Sequence, residues 1–232
     1  MTQEPLVAYF SMEIGLDSLM PTYAGGLGVL AGDTLRSAAD IEFPMVAVTL
    51  VHRHGYFYQR FDSQGWQTED PVAWPINDFL EPVNTRVTMA VADHKVAVSA
   101  WRYEVKGLTG FVIPVYLLDT DLPENSLEDR RLTDSLYGGD RGYRLNQEVV
   151  LGLGGLRMLR ALGHKHVSKF HLNEGHAALL ILGLLEEQLS AANTEQVTAE
   201  VLEGARKQCV FTTHTPVPAG HDTFSRELAQ QV

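Results

Sequence analysis

Three groups of polar residues follow apolar, strand-like runs in this chain of 232 residues. Glu13 comes just after residues 6–10, Asn173, Glu174 and His176 after 167–172, and His214 and Thr215 after 208–213. If those strands are parallel, all three groups lie along one edge of one sheet, where open α/β sheets bind ligands. Carboxylates and an amide there suit hydroxyl recognition, and a histidine suits contact with a reacting group. A fourth element opens the first helix: Tyr23-Ala24-Gly25-Gly26-Leu27-Gly28-Val29-Leu30-Ala31-Gly32-Asp33. Glycines at a loop-to-helix junction remove Cβ atoms from the path of a ligand. The first N–H groups of a helix have no internal partner and carry partial positive charge, so the stretch is a seat for phosphate or another anion. The same glycines also suit close packing of a helix on a sheet, and both readings stand at this level.

Other chemistries find less support. His164, His166, His171, His176, His214 and His221, with Glu174 and Asp222, raise a metal site, but no HExxH or Cys/His pairing is present. No G-x-S-x-G elbow occurs, and Ser11 has no evident partner for nucleophilic chemistry. The run His52-Arg53-His54-Gly55-Tyr56-Phe57-Tyr58-Gln59, with Gly65-Trp66-Gln67 soon after, mixes aromatic rings with polar forks. It reads either as a surface for sugar stacking or as a half-buried hairpin with its rings on the core.

The elements that must position these residues follow from apolar patterning. Residues 6–10 and 45–50 read as buried strands, with a helix over 27–40 between them whose apolar face is Leu27, Leu30, Ala31, Leu35 and Ala38. Residues 86–92 and 95–105 suggest two strands joined at Asp93-His94, and 111–118 another, where Pro114 argues for an edge or a bulge. Residues 119–144 form a long charged loop that reads as a gate over a cleft or as a plain surface loop. A helix over 143–162 carries Gly152, Gly154 and Gly155, which would allow close contact with a neighbour. Strand 167–172, helices 177–188 and 194–207, and a buried strand 208–213 holding Cys209 as a small core residue complete the pattern. This alternation predicts an α/β fold, a mostly parallel, doubly wound sheet with an antiparallel insertion.

Composition sets limits. The net charge of −11 disfavours a nucleic-acid or anionic-membrane surface. The single cysteine excludes an intrachain disulfide. The start, Met1-Thr2-Gln3-Glu4-Pro5, has no signal-peptide pattern, and the apolar run 177–185 is too short to span a bilayer. A cytoplasmic protein is the default expectation.

Taken together and in order, these clusters resemble the α-glucan (glycogen, starch or maltodextrin) phosphorylases. The resemblance is carried by Tyr9-Phe10-Ser11-Met12-Glu13, Tyr23-Ala24-Gly25-Gly26-Leu27-Gly28, Gly65-Trp66-Gln67, Leu136-Tyr137-Gly138-Gly139-Asp140, Arg144-Leu145-Asn146-Gln147-Glu148, His171-Leu172-Asn173-Glu174-Gly175-His176 and Phe211-Thr212-Thr213-His214-Thr215-Pro216. The short spacing from Glu13 to Gly25 looks like the compact prokaryotic branch. The resemblance implies a Rossmann-like N-terminal lobe of a GT-B glycosyltransferase, spanning residues 1–232 and incomplete at its C-terminal end. It implies phosphorolysis of α-1,4-glucan by inorganic phosphate to α-glucose 1-phosphate, with retention. Family members are often homodimers. Pyridoxal 5′-phosphate is expected as a Schiff base in the full-length enzyme, with its phosphate in acid–base catalysis. Its lysine belongs to a C-terminal lobe that this chain lacks, so the isolated chain is expected to be inactive. Carried onto matching positions, Gly25 and Gly26 would bind phosphate and His214 would be the catalytic histidine at the glucosyl residue. Glu13, Leu27, Asn173, Glu174, His176 and Asp140 would line the substrate pocket, with Asp140 on a gating loop. A nucleotide-sugar glucosyltransferase of the starch or glycogen synthase kind, and a non-catalytic glucan-binding remnant, are the alternatives. The first usually carries a lysine just before the glycine turn, where this chain has Thr22-Tyr23-Ala24.

Overall fold

The computed structural model describes residues 6–217 and 221–231. The N-terminal pentapeptide, Pro218-Ala219-Gly220 of the loop after the last predicted strand, and Val232 lie outside the described residues. The elements in chain order are β1 (Leu6–Ser11), α1 (Gly26–Asp40), β2 (Met45–Leu50), β3 (Tyr58–Phe61), β4 (Gln67–Asp70), a single turn α2 (Ile76–Phe79), β5 (Glu81–Val91), β6 (His94–Lys106), β7 (Val112–Asp119), α3 (Arg141–Val149), α4 (Gly155–Ala161), β8 (Val167–Asn173), α5 (Leu180–Ala191), α6 (Ala199–Gln208), β9 (Cys209–Thr212) and a last turn α7 (Arg226–Ala229).

Seven strands form one sheet in the order β5-β6-β7-β2-β1-β8-β9. The pairs β7–β2, β2–β1, β1–β8 and β8–β9 are parallel, and β5–β6 and β6–β7 are antiparallel. The fold is therefore the expected α/β, mostly parallel sheet with an antiparallel part at one edge. Side chains alternate across it with period two. Ala8 and Phe10 of β1 join Val46 and Val48 of β2 in a core on one face, covered by α4 and α5. Tyr9 and Ala47 face the other way, into a core with Ala31, Leu35 and Ala38 of α1. Phe10 and Phe170 are fully buried, and truncating either to alanine would cost about 3–5 kcal/mol.

Several expectations needed correction. Leu30 is exposed; the buried face of α1 is made by Gly28, Ala31, Gly32, Leu35, Ala38 and Ala39, small enough to bring the backbone against its neighbours. Strand β7 is interior, yet it carries Pro114. Its pairing with β2 begins only at Val115, so the missing N–H of Pro114 falls where that side of the strand is unpaired. The helix expected over 143–162 is α3 and α4 joined by a π-helical turn, Val150–Gly154. A Cβ on Gly152 would stand 2.6 Å from the Leu180 backbone nitrogen, so this turn packs directly on the start of α5. Strand β9 is an edge strand, with Val210 and Phe211 exposed and Cys209 only half-buried, because β8 covers one side of it alone. The hairpin of aromatics is present as β3–β4, but its strands are exposed on both faces. Much of the 119–144 loop is packed: Asp119, Thr120, Leu132, Thr133 and Leu136 are buried, and Arg53 donates to Asp119. None of the described helices is long and apolar enough to cross a membrane.

Candidate active-site crevice

The parallel register puts the ends of β1 and β8 side by side, with Ser11 opposite Asn173. The chain leaves β1 into Met12-Glu13, and buried groups lock that exit. Thr49 Oγ1 donates to the Met12 carbonyl at 3.2 Å, and the Nε2 of His52 donates to the same oxygen at 2.7 Å. Burial pushes His52 down to about 4, against the opposing effect of that bond, so the ring is neutral near pH 7.

Glu13 is buried, and its carboxylate is surrounded by donors. The amides of Ala24 and Gly25 donate to Oε2 at 2.7 and 3.2 Å, and the hydroxyl of Tyr137 donates to Oε1 at 2.7 Å. The first anion at the glycine turn is thus the protein's own side chain. Gly25 was expected to offer its N–H to phosphate; that N–H is engaged by Glu13. The first-turn amides of Gly26, Leu27 and Gly28 remain without an intrahelical acceptor, because α1 begins at Gly26. The two readings of the glycine stretch separate by residue. A Cβ on Gly28 would meet Tyr23 Cβ at 2.3 Å and Glu13 Oε2 at 2.7 Å, and one on Gly32 the Gly15 carbonyl at 2.1 Å. Those two glycines are there for packing. Among the described residues, nothing lies within 4 Å of where a Cβ on Gly25 or Gly26 would stand, and neither has positive φ. The chain's own fold does not require glycine at either position, which leaves open space over the start of the helix.

Glu174 repeats the arrangement at the end of β8. It is buried with φ +64°, a conformation that costs a non-glycine residue about 1–3 kcal/mol. Its Oε1 accepts the amides of His214 and Thr215 at 2.5 and 2.8 Å, and Oε2 accepts the Thr213 hydroxyl at 3.1 Å. Burial would raise its carboxyl, but the His214 and Thr215 amides and the Thr213 and Thr215 hydroxyls outweigh burial and hold it below the usual range. Glu174 therefore fixes the turn after β9, and His214 is exposed on that turn.

Between the two carboxylates lies a ring of groups from α3 and the loop before it. Tyr137, also at positive φ, sets its ring 5.8 Å from that of His176. Burial, then the neighbouring Glu13 carboxylate, pushes the Tyr137 hydroxyl far up, so it stays a donor. The Arg144 guanidinium lies over the Tyr137 ring at 5.6 Å and donates to Asp222 at 2.5 Å. His176 is buried, its Nε2 is 3.9 Å from Asp222 and its Nδ1 has no partner among the described residues. Burial lowers its pKa although Asp222 opposes the shift. Glu148, one helical turn after Arg144, is buried, and its Oε1 has no partner among the described residues. Burial, reinforced by Asp222, raises it to about 8. Glu148, Gly175, His176, His221 and Asp222 line a cavity of about 90 Å³.

The crevice thus unites Glu13, the Gly26–Leu27 edge, Glu174, His176 and, at its rim, His214. Two expected site residues behave differently. Asn173 is fully buried, donates to Ser11 Oγ at 3.0 Å and braces β8 against β1. Asp140 is exposed and caps α3, accepting the Tyr143 amide at 2.9 Å. Sequence reasoning passed over Tyr137, Arg144, Glu148 and Asp222 as site residues. The Arg144/Glu148 spacing of four was the available signal, one charged face of a helix that otherwise packs Leu145 and Val149. Among the described residues, no group of three His, Cys, Asp or Glu could hold a metal ion.

Comparison with known proteins finds named relatives similar in sequence over nearly the whole chain. The chain is 42% identical over 236 residues to a glycogen phosphorylase of Mycobacterium tuberculosis, covering 97% of this chain and 27% of that protein. It is 40% identical over 231 residues to a maltodextrin phosphorylase of Thermococcus litoralis, covering 96% of this chain and 26% of that protein. A glycogen phosphorylase of Aquifex aeolicus is 32% identical over 99% of this chain and 33% of its own length. The chain thus spans between a quarter and a third of these relatives. A comparison with family models finds no match.

Proposed function

We propose, with the likeness to α-glucan phosphorylases over nearly the whole chain as the premise, that this chain forms the glucan- and phosphate-facing wall of such an enzyme. The reaction is phosphorolysis of α-1,4-glucan to α-glucose 1-phosphate, with retention. The observation that carries this reading is the pair of strand-end carboxylates, Glu13 and Glu174, each drawing a separate turn toward one crevice. Phosphate would approach the amides of Gly26 and Leu27, where the α1 dipole favours negative charge and a Cβ-free surface leaves room. Because Glu13 already holds the Ala24 and Gly25 amides, phosphate binds on the helix side of the turn. The neutral His176, whose Nδ1 has no partner among the described residues, would bind a sugar hydroxyl, and His214 would contact the glucosyl residue from the rim.

Pyridoxal 5′-phosphate would supply acid–base chemistry through its phosphate. The residues present do not fit its covalent attachment. Lys95 and Lys106 belong to strand β6, which β7 and β2 separate from β1, Lys165 is exposed before the start of β8, and Lys169 reaches the Lys207 carbonyl. That supports a cofactor lysine outside this chain. The test uses the longer protein that carries this chain: glucan and inorganic phosphate should yield glucose 1-phosphate, with no consumption of ADP-glucose. Consumption of ADP-glucose without phosphorolysis would replace this reading with the synthase one. Covalent retention of pyridoxal phosphate by the 232-residue chain after borohydride treatment, seen by mass spectrometry, would refute the assignment of the lysine elsewhere.

A further inference from the structure

The β3–β4 hairpin and the turn beside it form an aromatic groove outside the crevice. Pro21, Tyr23, Ala24, Tyr56, Phe57 and Tyr58 contribute to its walls, which enclose about 180 Å³. Tyr58 is 50% exposed, and Phe61 and Trp66 on the same hairpin are about 70% exposed. The geometry points to this groove as a second binding surface, for an α-1,4-glucan chain running out of the crevice along the hairpin. The inference rests on the proposed function only for its choice of sugar.

Three observations choose a neutral glucan as the occupant. The first is continuity. Tyr23 and Ala24 belong to the turn that Glu13 holds, and the Tyr56 ring meets Tyr137 edge-on at 6.4 Å. Tyr137 in turn lies 5.8 Å from His176, so a track of rings connects the groove with the crevice. The second is the alternation of rings with planar polar groups. Arg60 lies over the Tyr58 ring at 5.9 Å and donates to Asp70, while Gln59 donates to Gln67 at 2.7 Å. Flat, pre-ordered guanidinium and amide groups beside exposed rings match the apolar faces and equatorial hydroxyls of a sugar. The rings are interrupted by these groups, whereas a stable protein interface has an apolar core depleted of charge. The third is charge. The hairpin strands carry Arg60 against Glu69 and Asp70, and the whole chain is at −11, which disfavours a polyanion and admits a neutral polyol.

The experiment is calorimetric titration of the 232-residue chain with maltose and with maltoheptaose, beside the Tyr58→Ala, Tyr58→Phe and His176→Ala variants. Circular dichroism checks that each is folded. Maltoheptaose should bind more tightly than maltose. Tyr58→Ala should weaken maltoheptaose roughly three- to tenfold while leaving maltose unchanged, and Tyr58→Phe should keep the wild-type affinity because the ring is retained. His176→Ala should weaken both sugars. Wild-type affinity of Tyr58→Ala for both lengths would overturn the groove and leave the crevice standing. A length-dependent loss in Tyr58→Ala with no effect of His176→Ala would support the groove and count against the crevice. No maltoheptaose binding by the wild-type chain, or a dimer that Tyr58→Ala dissociates without changing sugar affinity, would also overturn the groove.

Discussion

Glu13 and Glu174 occupy equivalent places at the ends of two neighbouring parallel strands, and each accepts two consecutive backbone amides from a distant turn. They reach that state differently. Glu13 sits on ordinary backbone held from behind by His52 and Thr49 through the Met12 carbonyl, and it shares its carboxylate with Tyr137. Glu174 holds a left-handed backbone conformation and takes a threonine hydroxyl as its extra donor. One carboxylate anchors the start of a long helix, which has its own hydrogen bonds to keep it in place. The other anchors a turn that follows a short edge strand. Support for the first turn is distributed; support for the second is concentrated in one side chain.

Removing the two anchors should therefore have unequal consequences. Glu174→Ala leaves the His214 and Thr215 amides and the Thr213 hydroxyl without their acceptor, and should destabilise the chain by about 3 kcal/mol in urea unfolding. It should also raise amide exchange across 213–215. The carboxyl is held low in the folded state, so its contribution is present above the unfolded value and lost as pH falls through the folded one. The loss from Glu174→Ala should accordingly shrink in acid. Glu13→Ala frees the Ala24 and Gly25 amides in the same way but should cost less, about 1–2 kcal/mol, with α1 retaining its protection from exchange because its own hydrogen bonds hold it. Equal losses in the two variants would contradict the contrast between distributed and concentrated support.

The glycine turn offers a finer comparison within one element. Gly28→Ala forces a Cβ against Tyr23 and Glu13 and should lower stability by about 1–3 kcal/mol. Gly26→Ala meets nothing among the described residues, so it should leave the denaturation midpoint nearly unchanged while weakening phosphate binding measured by phosphorus NMR. Glu148 gives a pH-dependent test of the ring between the carboxylates. Its folded value near 8 lies above the unfolded one, so its contribution is full below about pH 4.5 and is lost as pH rises to 8. Glu148→Gln should flatten that decline and stabilise the chain by about 1 kcal/mol or more at pH 8, as read from unfolding at a series of pH values.

Much of the fold was legible locally. The runs 6–10 and 45–50 alternate sides in a sheet buried on both faces, and the glycines and polar clusters fall at strand ends. Three failures share a cause. Leu30, the strand 208–213 and the half-buried alternative for the aromatic hairpin were read by hydrophobicity, yet burial depends on what covers a residue. Nothing among the described residues covers the outer side of β9 or either face of β3–β4. Of the site, Glu13, Glu174, His176 and His214 were legible as strand-end polar residues. Tyr137, Arg144, Glu148 and Asp222 were not, because their meeting depends on α3 crossing the sheet ends.

The sequence alone determined the alternation that makes a mostly parallel sheet, and therefore the edge on which the polar clusters gather. Period-two burial and glycine-marked helix starts are local properties, written within a few residues. Tertiary structure alone decided what those clusters do. Glu13 turns onto amides 11 and 12 residues away, and Glu174 onto amides 40 and 41 residues away. A carboxylate is stabilised by whichever N–H groups the packed chain brings to it. No local pattern records that the Gly25 amide would be held by Glu13 while the Gly26 amide, at the start of α1, has no intrahelical acceptor.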